Sequence, residues 1–504
     1  MRKLALGAAA VLAASLVTVP ATQALAAPDL ASLVTAKDAT KHLNAFAEIA
    51  KYNGGNRSAG SPGYDISVKY VVSQLKKAGF SPTTQAFPFD FYRQTGKGAL
   101  EQTAPNQVSY KEGTEYNTME YSVAGDVTAP VTAVDVPAPG EGGSSGCEES
   151  DFAGFPAGNI ALIQRGTCNL IVKSENAKKA GASAVVMYNR PDVEGPITGA
   201  TQGTPAGLPV MSTTHAIGRQ LIPLAQAGTL KLRVKSETLN ERRTTHNVIA
   251  ETKHGRADNV VLLGAHLDGV PAGAGINDNA TGSAAILAVA QKINKLGKKN
   301  IKNKVRFAWW GAEEINLVGS TYYVNNLSEA DRAKIALNLN FDMLGSPNGV
   351  RAVYDGDDSS GAGTNPPAGS GAIEAIIKGY YAKRKLPTVE SEFNGRSDYG
   401  PFIEHGIPAG GIDTGAEGIK TPEEAKLFGG TAGQPYDPCY HAACDGLKNV
   451  NYKLFDTNVD GVAFATQTFA KSTLPVNGET RRRAAQKAAA APKPTTDVHG
   501  HSLR

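Results

Sequence analysis

Apolar residues recur with a helical period near the start of the chain, where Leu43, Phe46, Ala47 and Ile49 share one face, and again over residues 64–75. Between these two stretches Asn53-Gly54-Gly55-Asn56-Arg57 reads as a loop. From about 125 to 233 the pattern changes to short Val/Ile/Ala strands broken by Pro and Gly, with one helix over 173–180, and this block is expected to form a separate, mostly β inserted domain. From His246 strands and helices alternate, with apolar strands at 260–263, 305–310 and 335–341 and helices at 283–293 and after Ala372 and Asn451. Alternation of this kind predicts an α/β fold, a mixed sheet with helices on both faces, whose strand ends carry the functional residues.

The ends of the chain differ from its body. Arg2 and Lys3 precede an apolar run over 4–19 and the small-x-small triplet Ala24-Leu25-Ala26, so residues 1–26 read as a signal peptide of a secreted protein. The run is shorter than the ~20 apolar residues that a spanning helix needs. Residues 475–504 are rich in Ala, Lys, Arg and Pro and are expected to be a flexible tail. That leaves 27–124 and 234–474 for the main domain and 125–233 for the insert. The formal charge of +4 belongs to the ends: the tail holds six Lys/Arg against two acids, and once Arg2 and Lys3 are set aside as well the body carries −2. A near-neutral body has no electrostatic footprint for nucleic acid or an anionic membrane. Four cysteines in an exported chain are expected to pair; three connectivities exist, and closeness in sequence favours Cys147 with Cys168 and Cys439 with Cys444.

Candidate chemistry collects where apolar strands end. His266 and Asp268 follow the first strand and point to one face. Asp278 lies in a Gly/Asn-rich turn before an apolar helix, and read alone it serves equally well as a helix cap or as a ligand. The second strand runs into Glu313-Glu314. In isolation that pair fits an exposed first turn of a helix, but buried together the two acids repel and need a cation. Asp342 follows the third strand, and Tyr440-His441 sits between Cys439 and Cys444. His266, Asp278, Glu314, Asp342 and His441 offer nitrogen and oxygen and no thiolate, a set suited to two zinc ions sharing a carboxylate.

These motifs, in this order from Asp29 to about Ala470, resemble the secreted bacterial di-zinc leucyl aminopeptidases, a family that also includes aminopeptidase Y. The stretch Ile160-Ala161-Leu162-Ile163-Gln164-Arg165-Gly166-Thr167-Cys168, followed by Asn176 to Ala182 and Ala184 to Asn189, resembles the protease-associated domain, which implies a docking or gating element. The family resemblance implies that His266, Asp342 and a bridging Asp278 hold one zinc, and that Asp278, Glu314 and His441 hold the other. It further implies that Asp268 orients His266, that Glu313 is the general base, that Tyr440 stabilises the oxyanion and that Arg396 lies near the substrate's N-terminal end. A calcium site from Asp29, the Leu30 carbonyl, Asp456 and Asp460 is implied too. Where leucine-preferring members have an aromatic side chain this chain has Asp413, which would favour a basic or polar N-terminal residue. The substrates implied are peptides and proteins with a free N-terminus, cut by a monomer. The alternatives are a related zinc glutaminyl cyclase or carboxypeptidase, or a peptidase-like receptor without catalysis.

Overall fold

A computed structural model describes residues 29–478, apart from 139, 142 and 198–202. The expected signal peptide and the expected tail beyond residue 478 lie outside the described residues. At the described C-terminal end the chain forms a short helix, Leu474–Asn477, that buries Val476.

The main sheet has eight strands: β1 Thr83–Gln94, β2 Thr238–Glu251, β3 Arg256–His266, β4 Asn303–Trp310, β5 Ile335–Phe341, β6 Ala352–Tyr354, β7 Val389–Ser391 and β8 Ala409–Asp413. Their spatial order is β1-β2-β4-β3-β5-β8-β6-β7. The central strands β4, β3, β5 and β8 run parallel, whereas β1, β2 and β6 join antiparallel, so the sheet is mixed as expected. The parallel strands are buried over most of their length because both faces are covered. Val261, Leu263 and Trp309 face a core shared with helices α1 Ala36–Tyr52, α2 Pro62–Lys77, α3 Thr281–Ile293, α4 Ser370–Lys383 and α5 Tyr452–Lys471. Their sequence neighbours Leu262 and Trp310 point the other way, onto Tyr323, Val324 and Phe402. α3 has no polar stripe; every residue from Thr281 to Ala290 is buried, which makes it the innermost helix.

β1 and β2 pair over their whole length, from Thr83 opposite Ile249 to Gln94 opposite Thr238. Beyond this ribbon Thr95 N donates to the Glu237 carbonyl at 2.8 Å, so the chain leaves and returns side by side. What hangs on the ribbon is a second eight-stranded sheet, built from strands between Ala99 and Ser236. Helix Leu170–Lys179 covers one face through Leu170 and Ala177, and helix His215–Gln226 covers the other through Ile217, Leu221 and Ile222. The sequence pattern predicts only the first of these helices. The second carries Gly218 and an internal Pro223, residues that ordinarily interrupt a helix. The disulfides are Cys147–Cys168, within the insert, and Cys439–Cys444, the pairing that sequence closeness favours.

Candidate metal centre

Three neighbouring strands deliver the centre. β3 ends at His266, β4 runs into Glu313 and Glu314, and β5 into Asp342. Asp278 comes from the distorted turn Ile276–Ala280 that opens α3, and its peptide bond to Asn279 is cis. Three non-glycine residues with left-handed backbones stand at these ends: Ala312 (φ 55°) before Glu313, Met343 (φ 51°) after Asp342, and His441 itself (φ 54°). Such conformations cost energy and persist where surrounding structure enforces them. Gly282 is required by close approach, because a Cβ there would lie 2.2 Å from the Phe341 carbonyl oxygen. Without a side chain at that position the start of α3 abuts the strand end that carries Asp342.

The five expected ligands meet. His266 Nε2 lies 3.1 Å from Asp278 Oδ1 and 3.2 Å from Asp342 Oδ1. His441 Nε2 lies 2.9 Å from Glu314 Oε2 and 3.4 Å from Asp278 Oδ2. Each oxygen of Asp278 therefore faces a different imidazole. Glu313 Oε2 is 3.8 Å from His266 Nε2, at the edge of the cluster. Burial opposes the charge on His266, but the facing carboxylates overcome it and raise its pKa well above the ordinary range. His441 is likewise carried to about 10 by Asp278 and Glu314 against the cost of burial. Burial, reinforced by the Asp278 charge, pushes Glu314 up to about 7.

A second ring of groups holds these residues in place. His266 Nδ1 meets the backbone carbonyl of Asp268 at 3.2 Å, while the Asp268 carboxylate stays 3.9 Å away and instead accepts from Glu313 N at 3.2 Å. The expected link between Asp268 and His266 thus runs through the main chain, and the carboxylate is turned to the Glu313 segment. Asp445 accepts from the backbone N–H groups of Asn277 (2.8 Å) and Asp278 (3.0 Å). Ser397 donates to Asp342 Oδ2 at 2.5 Å. Arg57, fully buried, donates to the carbonyls of Leu267, Ala274 and Gly275, spanning the loop between His266 and Asp278. Sequence reasoning missed Asp445, Ser397 and Arg57. The only cue was proximity, since Asp445 follows Cys444 and Ser397 follows Arg396.

The cluster opens into a cavity of about 630 Å³, a size typical of ligand sites. Arg396, Asp413 and Tyr440 all line it. Arg396 donates to Glu417 at 2.6 Å and to the Tyr440 hydroxyl at 3.2 Å, and the Tyr440 ring stacks on His441 with centroids 3.9 Å apart. Burial lifts the Asp413 carboxyl to about 6. Asp29 and Leu30 lie away from this cavity, beside α5: Leu30 N–H donates to Gln467 at 2.5 Å. Asp460 on that helix is raised to about 6 by burial and by the charges of Asp456 and Asp29.

The donor set fits a divalent metal. Among the described residues no lysine or arginine ion-pairs with Asp278, Glu313, Glu314 or Asp342, and Glu314 Oε1 is buried without a hydrogen-bond partner. Ligand atoms of His266, Asp278 and Glu314 lie within 4.8 Å of one another, as do those of His266, Glu313 and Asp342. Buried anions gathered so closely need positive charge between them.

The model of peptidase family M28 matches residues 247–466, and that of the PA domain residues 127–221. An aminopeptidase of Pseudomonas aeruginosa is 45% identical over 451 residues, which is 88% of this chain and 82% of the relative. Among solved structures, an aminopeptidase from Aneurinibacillus sp. strain AM-1 has a TM-score of 0.69 at 25% identity, covering 88% of this chain and 95% of that one. BSAP, a zinc aminopeptidase from Bacillus subtilis, has a TM-score of 0.60 at 23% identity over 88% and 98%, a likeness of fold. With 45% identity to the Pseudomonas protein over most of both chains, and strand ends that gather a set of candidate metal ligands, this chain belongs to peptidase family M28, with a PA domain inserted in the peptidase domain.

Proposed function

We propose that this chain is an exported di-zinc aminopeptidase that releases single residues from the free N-termini of peptides and proteins. The observation that carries this reading is Asp278, whose two oxygens face His266 and His441 separately, as a carboxylate shared between two ions must. In this assignment His266 and Asp342 complete one site, and Glu314 and His441 the other. When bound, the zinc pair supplies Lewis-acid polarisation of the scissile carbonyl and lowers the pKa of a water towards ~7.

The protein's own groups do the rest. Glu313 is the general base. Burial, with Asp398, Asp342 and Glu314 facing it and His266 opposing, raises its pKa well above the carboxylate range, so it can take a proton and pass it to the leaving amine. Asp268 holds Glu313 in place through the Glu313 backbone N–H. Tyr440 donates its hydroxyl to the developing oxyanion. Arg396, tethered to Glu417 and Tyr440, and Asp413 border the N-terminal residue of the substrate. Asp413, lining the pocket, favours a basic or polar N-terminal side chain over leucine. Asp29, the Leu30 carbonyl, Asp456 and Asp460 form a separate calcium site that ties the N-terminal segment to α5. The two disulfides accord with export, and among the described residues no helix is long and apolar enough to cross a membrane.

The test is Glu313→Gln. Hydrolysis of Leu-Ala-Ala should fall by about 10²- to 10⁴-fold while metal analysis still finds two zinc ions per chain. Release of leucine from the wild type should need an unblocked N-terminus. Cleavage of the acetylated peptide from its C-terminal end would replace this reading with a carboxypeptidase, and a wild type that binds no zinc would replace it with a receptor.

A further inference from the structure

The groups assigned to the substrate's N-terminal residue all come from one part of the chain, between Arg396 and Tyr440. The same cavity has another lining, from β1 and from the inserted domain, in the turn between its strands Tyr116–Thr118 and Gly125–Ala133: Phe91, Tyr92, Glu120 and Tyr121. A peptide with its scissile bond on the carboxylate cluster and its first residue against Arg396 and Asp413 must run on somewhere, and a cavity of about 630 Å³ holds more than one residue.

This second lining is built with some rigidity. The Tyr92 and Tyr121 rings pack with centroids 5.4 Å apart. The Tyr121 hydroxyl donates to the Asp90 carbonyl at 3.0 Å, and the Asp90 carboxylate is held in turn by Arg242 at 2.8 Å and by Thr204 at 3.1 Å. Tyr121 is buried and has φ 63°, a left-handed backbone that is rare for an aromatic residue and is found where structure around a ligand enforces it. Glu120 is exposed and lines the cavity together with both rings, and after burial its charge raises the pKa of each hydroxyl. An aromatic pair beside an acid recognises a cation on an alkyl stem: the stem lies on the rings and the charge meets both the π faces and the carboxylate. Outside the metal cluster the cavity leans the same way, lined by Glu120, Glu392, Asp413 and Glu417 against a single arginine.

We infer that Tyr92, Glu120 and Tyr121 form a subsite for the residue following the scissile bond, and that this subsite selects peptides with lysine or arginine in that position. The inference rests on the aminopeptidase reading and gives it a substrate class. The inserted domain then contributes directly to substrate choice.

Release of free leucine from Leu-Ala-Ala, Leu-Lys-Ala and Leu-Glu-Ala tests it, each read as kcat/KM. The wild type should favour Leu-Lys-Ala over Leu-Glu-Ala by about tenfold. Glu120→Gln should shrink that ratio and Glu120→Lys should invert it; Tyr92→Ala should raise KM for Leu-Lys-Ala more than for Leu-Ala-Ala. Comparing substrates within each variant makes the readout independent of how much active protein each yields. Equal rates for the lysine and glutamate peptides, or a ratio unmoved by Glu120→Lys, overturns the subsite and leaves the aminopeptidase standing. A wild type that releases no leucine from Leu-Ala-Ala overturns the aminopeptidase reading itself.

Discussion

Burying a guanidinium with no carboxylate against it is costly unless its five donors find acceptors, and Arg57 finds them in the carbonyls of Leu267, Ala274 and Gly275. Burial lowers its pKa to about 10, with Asp268, Asp445 and Asp278 acting to hold the proton on. The side chain stands behind the metal cluster as a fixed cation and clamps the loop joining His266 to Asp278. Lysine keeps the charge but loses the planar fork. We therefore expect Arg57→Lys to weaken zinc binding by about 10- to 100-fold in a chelator competition, with the circular dichroism of the fold retained; unchanged affinity would show that the clamp does not matter. Nothing in the sequence marked this residue, because an arginine among Asn and Gly looks solvated. Asp413 is the opposite case, conspicuous in sequence as an acid where the resemblance implies an aromatic ring in leucine-preferring members. Asp413→Phe should move the preference for the N-terminal residue from lysine and arginine towards leucine, measured as kcat/KM on the three aminoacyl anilides. A preference that stays put removes Asp413 from the side-chain pocket.

Helices α1, α2 and α3 meet at His42, whose Nδ1 lies 2.7 Å from the Tyr70 hydroxyl and whose Nε2 lies 3.3 Å from Gln291 Oε1. Burial lowers this imidazole to about 4, so between pH 6.5 and 4 the unfolded chain binds the proton and the folded one does not. Stability from this group is complete above pH 6.5 and is lost as pH falls through 4, on the order of 3 kcal/mol. His42→Gln removes the titration, and the stability gap between wild type and variant in urea should therefore narrow from pH 7 to pH 4.5. A gap equal at both pH values would place the acid sensitivity elsewhere.

The same elements show why parts of the fold were readable. β3, β4 and β5 are mainly apolar and end at His266, Trp310 and Phe341, so each strand announced its own end, and three of the expected ligands, His266, Glu314 and Asp342, were read from those ends, whereas Asp278 and His441 lie in turns. β1 and β2 were not recognised: a few buried residues, Phe87, Phe89, Val248 and Ala250, are spread among polar ones such as Gln85 and Arg242 over a long ribbon. Contacts that close the centre, such as Asp445 on the Asn277 and Asp278 amides, join residues more than 160 positions apart and leave no local trace.

At the scale of the whole molecule, charge is distributed unevenly. The body is close to neutral, yet the cavity at the metal centre carries Glu120, Glu392, Asp413 and Glu417 beyond the carboxylates of the cluster, a field that draws in the protonated amine of a peptide before any specific contact forms. The two sheets keep separate cores, one behind the metal centre and the others inside the insert, and the insert reaches the cavity through Glu120 and Tyr121. The sequence showed the change of composition near Gly125, but not that strands Ala99–Ala104 and Tyr116–Thr118 already belong to the second sheet, because they precede the Val/Ile-rich blocks. The ribbon has a further consequence. Thr95 and Glu237 are hydrogen-bonded neighbours, so a folded module whose own termini sit close together occupies that junction with almost no loop-closure entropy, whatever its length. The junction is therefore a natural grafting point: a different module could be spliced between these two residues, refashioning the outer rim of the cavity while the strand ends that carry the metal ligands stay as they are.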